Sequence, residues 1–119
     1  MWVFTTEGFF SAVAHRTEPN TIIVRCRDEG DANHLSITLK LMLRLDAPVR
    51  HTPTADYAYR LFMPRSAWSH YLASRAKDID YPNFKDAVAA RQGTKRALIY
   101  SDVWLAMLRL QHPERNPIP

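Results

Sequence analysis

The sequence predicts an α+β domain: a mostly antiparallel four-stranded sheet in the order β-β-β-α-β, with C-terminal helices packed on one of its faces. Three observations carry that expectation. Met1 to Cys26 is a series of aromatic and β-branched runs cut by turn signals, the residues after Pro64 show helical spacing almost to the end, and a single alternating run lies between. Strand runs followed by helical runs are the pattern of a sheet whose helices are segregated to one side.

The opening runs "MWVFTT" and "FFSAVAH" are separated by Glu7-Gly8, an acid-glycine pair that signals a hairpin. "RTEPN", Arg16 to Asn20, is a second turn punctuated by Pro19-Asn20, and "TIIVRCR" makes a third strand. Short connections between successive strands give an antiparallel meander. "HLSITLKLMLRL" fits two patterns. As a strand it sets Leu35, Ile37, Leu39, Leu41, Leu43 and Leu45 on one side; as a helix it sets Leu35, Leu39, Met42 and Leu43 on one face, with Gly30-Asp31 as turn and N-cap. Leu, Met and Lys favour the helix, Ile and Thr the strand, and the helix is the reading adopted. A linker with Pro48 and Pro53 follows. In "ADYAYRLFM", Tyr57, Tyr59, Leu61 and Met63 then alternate with Ala58, Arg60 and Phe62 as the fourth strand.

Beyond Pro64, Trp68, Tyr71, Leu72, Arg75 and Ile79 share one face of a helix that begins near Arg65. Phe84, Ala87 and Val88 mark a short second helix. Ile99, Val103, Ala106, Met107 and Leu110 form an apolar stripe on the last, widened by Tyr100, Trp104 and Leu108, which predicts a mostly buried helix. The domain is read as residues 1–112, with the Pro-rich "PERNPIP" of 113–119 as a loose tail.

Composition narrows the chemistry. A chain of 119 residues with 46% hydrophobic residues is enough for one buried core. No run approaches the roughly 20 apolar residues that cross a bilayer, and the start carries no basic leader, so the expectation is no membrane association and a cytoplasmic location. Cys26 is the only cysteine and sits in a strand, where it acts as a small hydrophobe. The five histidines His15, His34, His51, His70 and His112 show no paired spacing, and no metal site is expected. With three glycines and no phosphate-loop or dinucleotide motif, no cofactor is expected either. A net charge of +4 admits an anionic partner.

The stretches "MWVFTTEGFFSAVAH", "ADYAYR" and "IDYPNFKDAVAARQGTKRALIYSDVW" resemble a small family of bacterial and phage proteins of about this length, which share Met-Trp-x-Phe-Thr, Asp-Tyr-x-Tyr-Arg and Ile-Asp-Tyr-x-Asn-Phe-Lys. The resemblance covers most of the chain and implies no particular activity. Its phage associations imply modulation of a host or defence complex as a context.

Two sets of residues compete for the functional role. Ile79 to Tyr100 concentrates polar chemistry: Asp80 as an acid or base, Tyr81 and Asn83 as orienting groups, Lys85 as an anion holder. Each also has an ordinary structural role. Asp80 reads as the N-cap of the second C-terminal helix, Pro82 as its first turn, Gly93 as its stop, Thr94 as the cap of the last helix, and Lys85 and Asp86 as its wet side. On the sheet, alternation that turns Ala12, Ala14, Ile22, Val24, Cys26, Tyr59 and Leu61 toward the helices turns Arg25, Arg27 and Arg60 away, with His15, Phe9 and Phe4 beside them. Arginines and aromatics on an open sheet face can hold single-stranded nucleic acid, or a protein, and Trp2, Phe4, Phe9 and Phe62 can be covered by a second copy in a homodimer. The leading expectation is a non-enzymatic module that binds a protein or single-stranded nucleic acid through that face. The alternative is a small enzyme with a pocket between Asp56, Tyr57, Tyr59 and Arg60 on one side and Asp80, Tyr81, Asn83 and Lys85 on the other.

Overall fold

In a computed structural model that describes residues 1–112, β1 (Trp2–Thr5), β2 (Gly8–Ala14) and β3 (Thr21–Cys26) form the antiparallel meander that the sequence predicts. The 113–119 tail lies outside the described residues. Thr6 and Glu7 make the first turn, held by Thr5, whose hydroxyl accepts the N–H groups of Glu7 and Gly8 at 3.0 Å. Asn20, with φ 61°, takes the left-handed conformation needed to close the second turn, a conformation that its short polar side chain tolerates.

The chain then crosses the sheet as α1 (Glu29–Leu43) and returns in β4 (Arg50–His51) and β5 (Tyr59–Pro64). The strand order is β1-β2-β3-β5-β4, antiparallel throughout. The α+β class is therefore as the sequence predicts, with one addition. The linker contributes a fifth, two-residue strand at the sheet edge.

The ambiguous segment is a helix because its period of 3.6 residues matches what it packs against. Leu35 and Leu39 are fully buried, whereas Ile37 (59 % exposed) and Leu41 (81 % exposed), which a strand would have placed beside them, face solvent. Its cap differs from the expected Gly30-Asp31. Asp28 is the N-cap, its Oδ2 accepting the Asp31 N–H at 3.1 Å, which frees Asp31 for a tertiary role. Arg44, with φ 54°, ends the helix, and its N–H donates to the Lys40 carbonyl at 2.9 Å.

Strand register decides what reaches the core. Ala12 pairs with Val24 and Val24 with Leu61; Ile22 pairs with Met63. These side chains and Phe10 and Cys26 are buried on one face against Ala32, Leu35 and Leu39 of α1 and Ala67, Trp68 and Tyr71 of α2 (Arg65–Lys77). Phe10 meets Trp68 and Tyr71 edge to face, at centroid distances of 6.1 and 5.9 Å. Each fully buried side chain of this size contributes about 1.5–3 kcal/mol relative to exposure. Ala14, expected to face the helices, stands at the strand end and is exposed.

The chain forms two compact units, Met1–Asp80 and Tyr81 to the C-terminus. In the second, α3 (Phe84–Gln92) and α4 (Thr94–Met107) make a helical hairpin followed by a 3₁₀ turn, Leu108–Leu110. The caps are shifted from those expected. Asn83, not Asp80, caps α3, its Oδ1 accepting the Asp86 N–H at 2.9 Å. Gly93, with φ 95°, joins the helices, and Thr94 is the first residue of α4, without a side-chain cap bond. Phe84 stacks on Tyr100 at 5.9 Å and lies 6.0 Å from Tyr81, over a small core of Val88, Ala97 and Tyr100. Lys85 is not on the wet side: it is half-buried, with its Nζ 4.6 Å from the Trp104 ring centroid. The stripe expected to bury α4 is in fact open. Ile99, Met107 and Leu110 are exposed because nine-residue α3 covers only the Ala97–Tyr100 side of a 14-residue helix.

Candidate partner-binding face

Five strands in register bring one cross-strand row onto the sheet face opposite α1 and α2. Trp2 pairs with Ser11, Ser11 with Arg25, Arg25 with Arg60, and Arg60 with Arg50. Three arginines from β3, β5 and β4 thus stand side by side, their Cα atoms about 4.5–5.5 Å apart by antiparallel geometry. Arg50 was not among the sequence candidates. Its only signal was register, which the irregular linker before it concealed.

Apolar rows flank the arginines. On one side Phe4 pairs with Phe9 and their rings stack at 4.6 Å, with Trp2 edge-on to Phe9 at 6.2 Å. On the other, Val13 pairs with Ile23 and Ile23 with Phe62. Trp2 is 68 % exposed, and Phe4, Phe9, Val13, Ile23 and Phe62 remain half-buried although no helix of this unit covers them.

Each guanidinium is positioned by neutral groups. The Arg25 and Arg27 guanidiniums both lie 4.6 Å from the Tyr57 ring centroid, and Arg50 lies 4.4 Å from that of Phe62. Arg25 also donates to the Ser11 hydroxyl at 2.7 Å; Arg60 donates through Nε to Thr52 Oγ1 at 3.3 Å. Tyr57 precedes β5, so the alternation drawn through it does not apply, and its buried ring belongs to the arginines. Among the described residues none of Arg25, Arg27, Arg50 and Arg60 lies within ion-pairing distance of a carboxylate. Cation–π contacts contribute about 0.5–1 kcal/mol each at exposed sites and leave the in-plane N–H donors of a guanidinium free for an anion. Among the described residues the row is therefore a positive stripe without a carboxylate partner, with aromatic margins.

His15 lies at the far end of β2. Its ring is 5.8 Å from Phe62, and its Nδ1 accepts the N–H groups of Thr17 and Glu18 at 3.2 and 3.0 Å, so it serves the turn.

The residues expected on the Asp56 side of the competing pocket do not share one face. Tyr59 and Arg60 are consecutive in β5 and lie on opposite faces: Tyr59 pairs with buried Cys26 and Arg60 with Arg25. The Tyr59 ring stacks on His51 at 5.0 Å, and the neighbouring Glu29 carboxylate raises its pKa. Asp56 accepts the N–H of Tyr57 at 3.0 Å, and Asp80 is exposed. Tyr81, Asn83 and Lys85 belong to the second unit, where they are engaged as ring contact, helix cap and Trp104 partner.

A second charged cluster was missed altogether by sequence reasoning. Glu7, in the first turn, receives Arg75 on Oε1 and the Tyr71 hydroxyl on Oε2 at 3.4 Å, and His34 Nε2 lies 3.0 Å from Oε2. Arg75 also reaches Asp78 at 3.2 Å. Both carboxylate oxygens are occupied, so the cluster ties the hairpin to α1 and α2. Its other members His34, Tyr71 and Arg75 lie 27 to 68 residues from Glu7 in sequence, and no local signal links them to it.

Among the described residues no three His, Cys, Asp or Glu side chains are placed to hold a metal ion, and no helix is long and apolar enough to cross a membrane. Comparison with protein-family models, curated proteins and solved structures finds no match to this chain.

Proposed function

We propose that this protein binds single-stranded nucleic acid across the open face of its sheet. The observation that carries the reading is the Arg25–Arg60–Arg50 row, free of carboxylates among the described residues and bordered by Phe4, Phe9 and Phe62. Phosphates supply the missing negative charge, and unpaired bases supply rings for the aromatic margins to stack on. Duplex is disfavoured, because its bases are already stacked and a flat sheet offers nothing to enter a groove.

The test is fluorescence anisotropy of labelled single-stranded oligonucleotides against salt. With the three row arginines and Arg27 each meeting a phosphate, log K should fall with log salt at a slope of about −0.7 per contact, close to −3 in total. Replacing Arg25, Arg50 and Arg60 with Gln should bring the slope to about −0.7. Phe9→Ala should weaken binding about 5- to 100-fold, the loss of one stacked base, while leaving the slope unchanged. Absence of binding at low salt, or a slope unmoved by the triple substitution, refutes the proposal. Capture of a protein through the same arginines after nuclease treatment assigns the face to a protein partner instead.

A further inference from the structure

We infer that the sheet face holds the end of a single strand, not its interior, with the terminal base capped by Trp2. End recognition presupposes the nucleic-acid binding proposed above and specifies which part of the polymer is held. Charge and rings are separated along the row. Arg25, Arg60 and Arg50 stand on the β3, β5 and β4 side, whereas neither β1 nor β2 carries a lysine or arginine, and their open-face residues are Trp2, Phe4, Phe9, Ser11 and Val13. The Met1 ammonium, at the same edge, is held by the Ala12 carbonyl at 2.9 Å.

An internal stretch of polymer carries a phosphate at every nucleotide, so a groove that tracks it combines cations with stacking rings along its whole length. Here the two are apart. Phe9 lies two residues from Ser11, the partner of Arg25, which makes Phe9 and Arg25 diagonal neighbours about 7–8 Å apart, within reach of their long side chains. One nucleotide bridges that gap, with its phosphate on Arg25 and its base over Phe9 and Trp2. The next phosphates along the strand fall on Arg60 and Arg50. A strand that also continued the other way would carry its following phosphate above β1, where the sheet offers no side-chain cation to take the place of its counterions.

Trp2 suits a terminal base for a second reason. In a stacked strand each internal base has both faces against its neighbours, and only the last base keeps one face open. Trp2 is 68 % exposed and meets Phe9 edge to face at 6.2 Å, a contact that occupies at most one face of the indole and leaves the other for that base.

The test compares a linear single-stranded oligonucleotide of about 40 nucleotides, longer than the ~4–16 that one small domain covers, with the same sequence ligated into a circle. Competition against a labelled linear strand should show the linear form binding about 5- to 100-fold more tightly, the effect of one stacked base, and cutting the circle once should restore the affinity. The circle should still bind through the three arginines, with the same salt slope. Trp2→Ala should lower the linear strand to the circle's affinity, and Trp2→Phe, which keeps a ring, should retain the preference. Because Trp2 is exposed, neither substitution should alter the circular dichroism spectrum. Equal affinity for circle and linear strand overturns end recognition while leaving single-strand binding in place. A linear preference that survives Trp2→Ala overturns the assignment to Trp2. Absence of binding to either form refutes the nucleic-acid reading and end recognition with it.

Discussion

Gly8→Ala probes the point at which the hairpin meets α1. Gly8 is buried, and a Cβ built there would lie 2.7 Å from Asp31 Cγ and 2.9 Å from Asp31 Cβ. Asp31 itself is 5 % exposed, and its Oδ2 accepts the Phe9 N–H at 3.0 Å. The carboxylate cannot yield without abandoning that bond, and the strand cannot yield without disturbing the Thr5–Gly8 register pair. Overpacking of a methyl against buried atoms costs about 1–3 kcal/mol, and a hydrogen bond to a charged acceptor is worth about 1.5–3 kcal/mol. Because relieving one incurs the other, the expected loss is about 2–3 kcal/mol rather than the sum. That is a large share of the 5–15 kcal/mol typical of a domain.

The assay is urea unfolding followed by tryptophan fluorescence, to which buried Trp68 reports from inside the first unit. Asp31→Ala alone should lose about 1–3 kcal/mol, for the stranded Phe9 amide. In the double variant the obstructing carboxylate is gone, so Gly8→Ala should add little, leaving a coupling of about 2 kcal/mol. Any purely backbone cost at Gly8 cancels in this cycle. A single-variant loss below about 0.5 kcal/mol, or strictly additive losses, would refute the claim that contact with Asp31 is what requires glycine here.

Two further outcomes follow from the buried and capping groups. Burial, reinforced by Asp31 and Asp28, pushes the Cys26 thiol from 9.0 up to about 12, and burial with Glu7 moves the Tyr71 hydroxyl upward from 10.0. Both folded-state values exceed the unfolded ones, so the contribution of these two groups to stability should be constant below about pH 9 and be lost as pH rises toward 12; urea midpoints across that alkaline range will show it, and Cys26→Ala should flatten the early part of the decline. The same burial predicts that a thiol reagent at neutral pH labels Cys26 only after unfolding, and labelling of the native chain at a free-thiol rate contradicts it. Asn83→Ala should weaken α3 by about 1 kcal/mol, seen as earlier loss of helical circular dichroism, while Asn83→Asp should retain the cap; equal losses from both would show that Asn83 does not act through its side-chain acceptor.

Much of the fold was legible because local rules decided it. The acid-glycine pair, Pro19-Asn20 and the alternation of "TIIVRC" each bias only a few residues, and those few residues set the hairpins. The 3.6 period of Leu35 and Leu39 also outweighed the period-two reading, since only a helix buries both against Val24 and Leu61 while leaving Ile37 in solvent. The caps were misplaced by one to three residues. Several neighbouring Asp, Asn and Thr side chains can serve as caps, and tertiary contacts divide the roles among them: Asp31 accepts the Phe9 N–H while Asp28 caps α1.

The site was half legible. Strand alternation placed Arg25 and Arg60 on one face, since side chains two residues apart must share a side. It could not bring in Arg50, whose membership depends on β4 pairing with β5 across a seven-residue loop, nor give Tyr57 to the arginines. By itself, then, the sequence determined the α+β class, the meander, the helical identity of Glu29–Leu43, the burial of Cys26 and the side of the sheet that carries the charge. Tertiary structure alone decided the fifth strand, the continuous Trp2-to-Arg50 row, the Glu7–Arg75 lock and the exposed face of α4. The physical reason is range: turns, caps and periodicity act within a few residues, whereas a row across five strands or an open helix face exists only once distant segments have packed and left something uncovered.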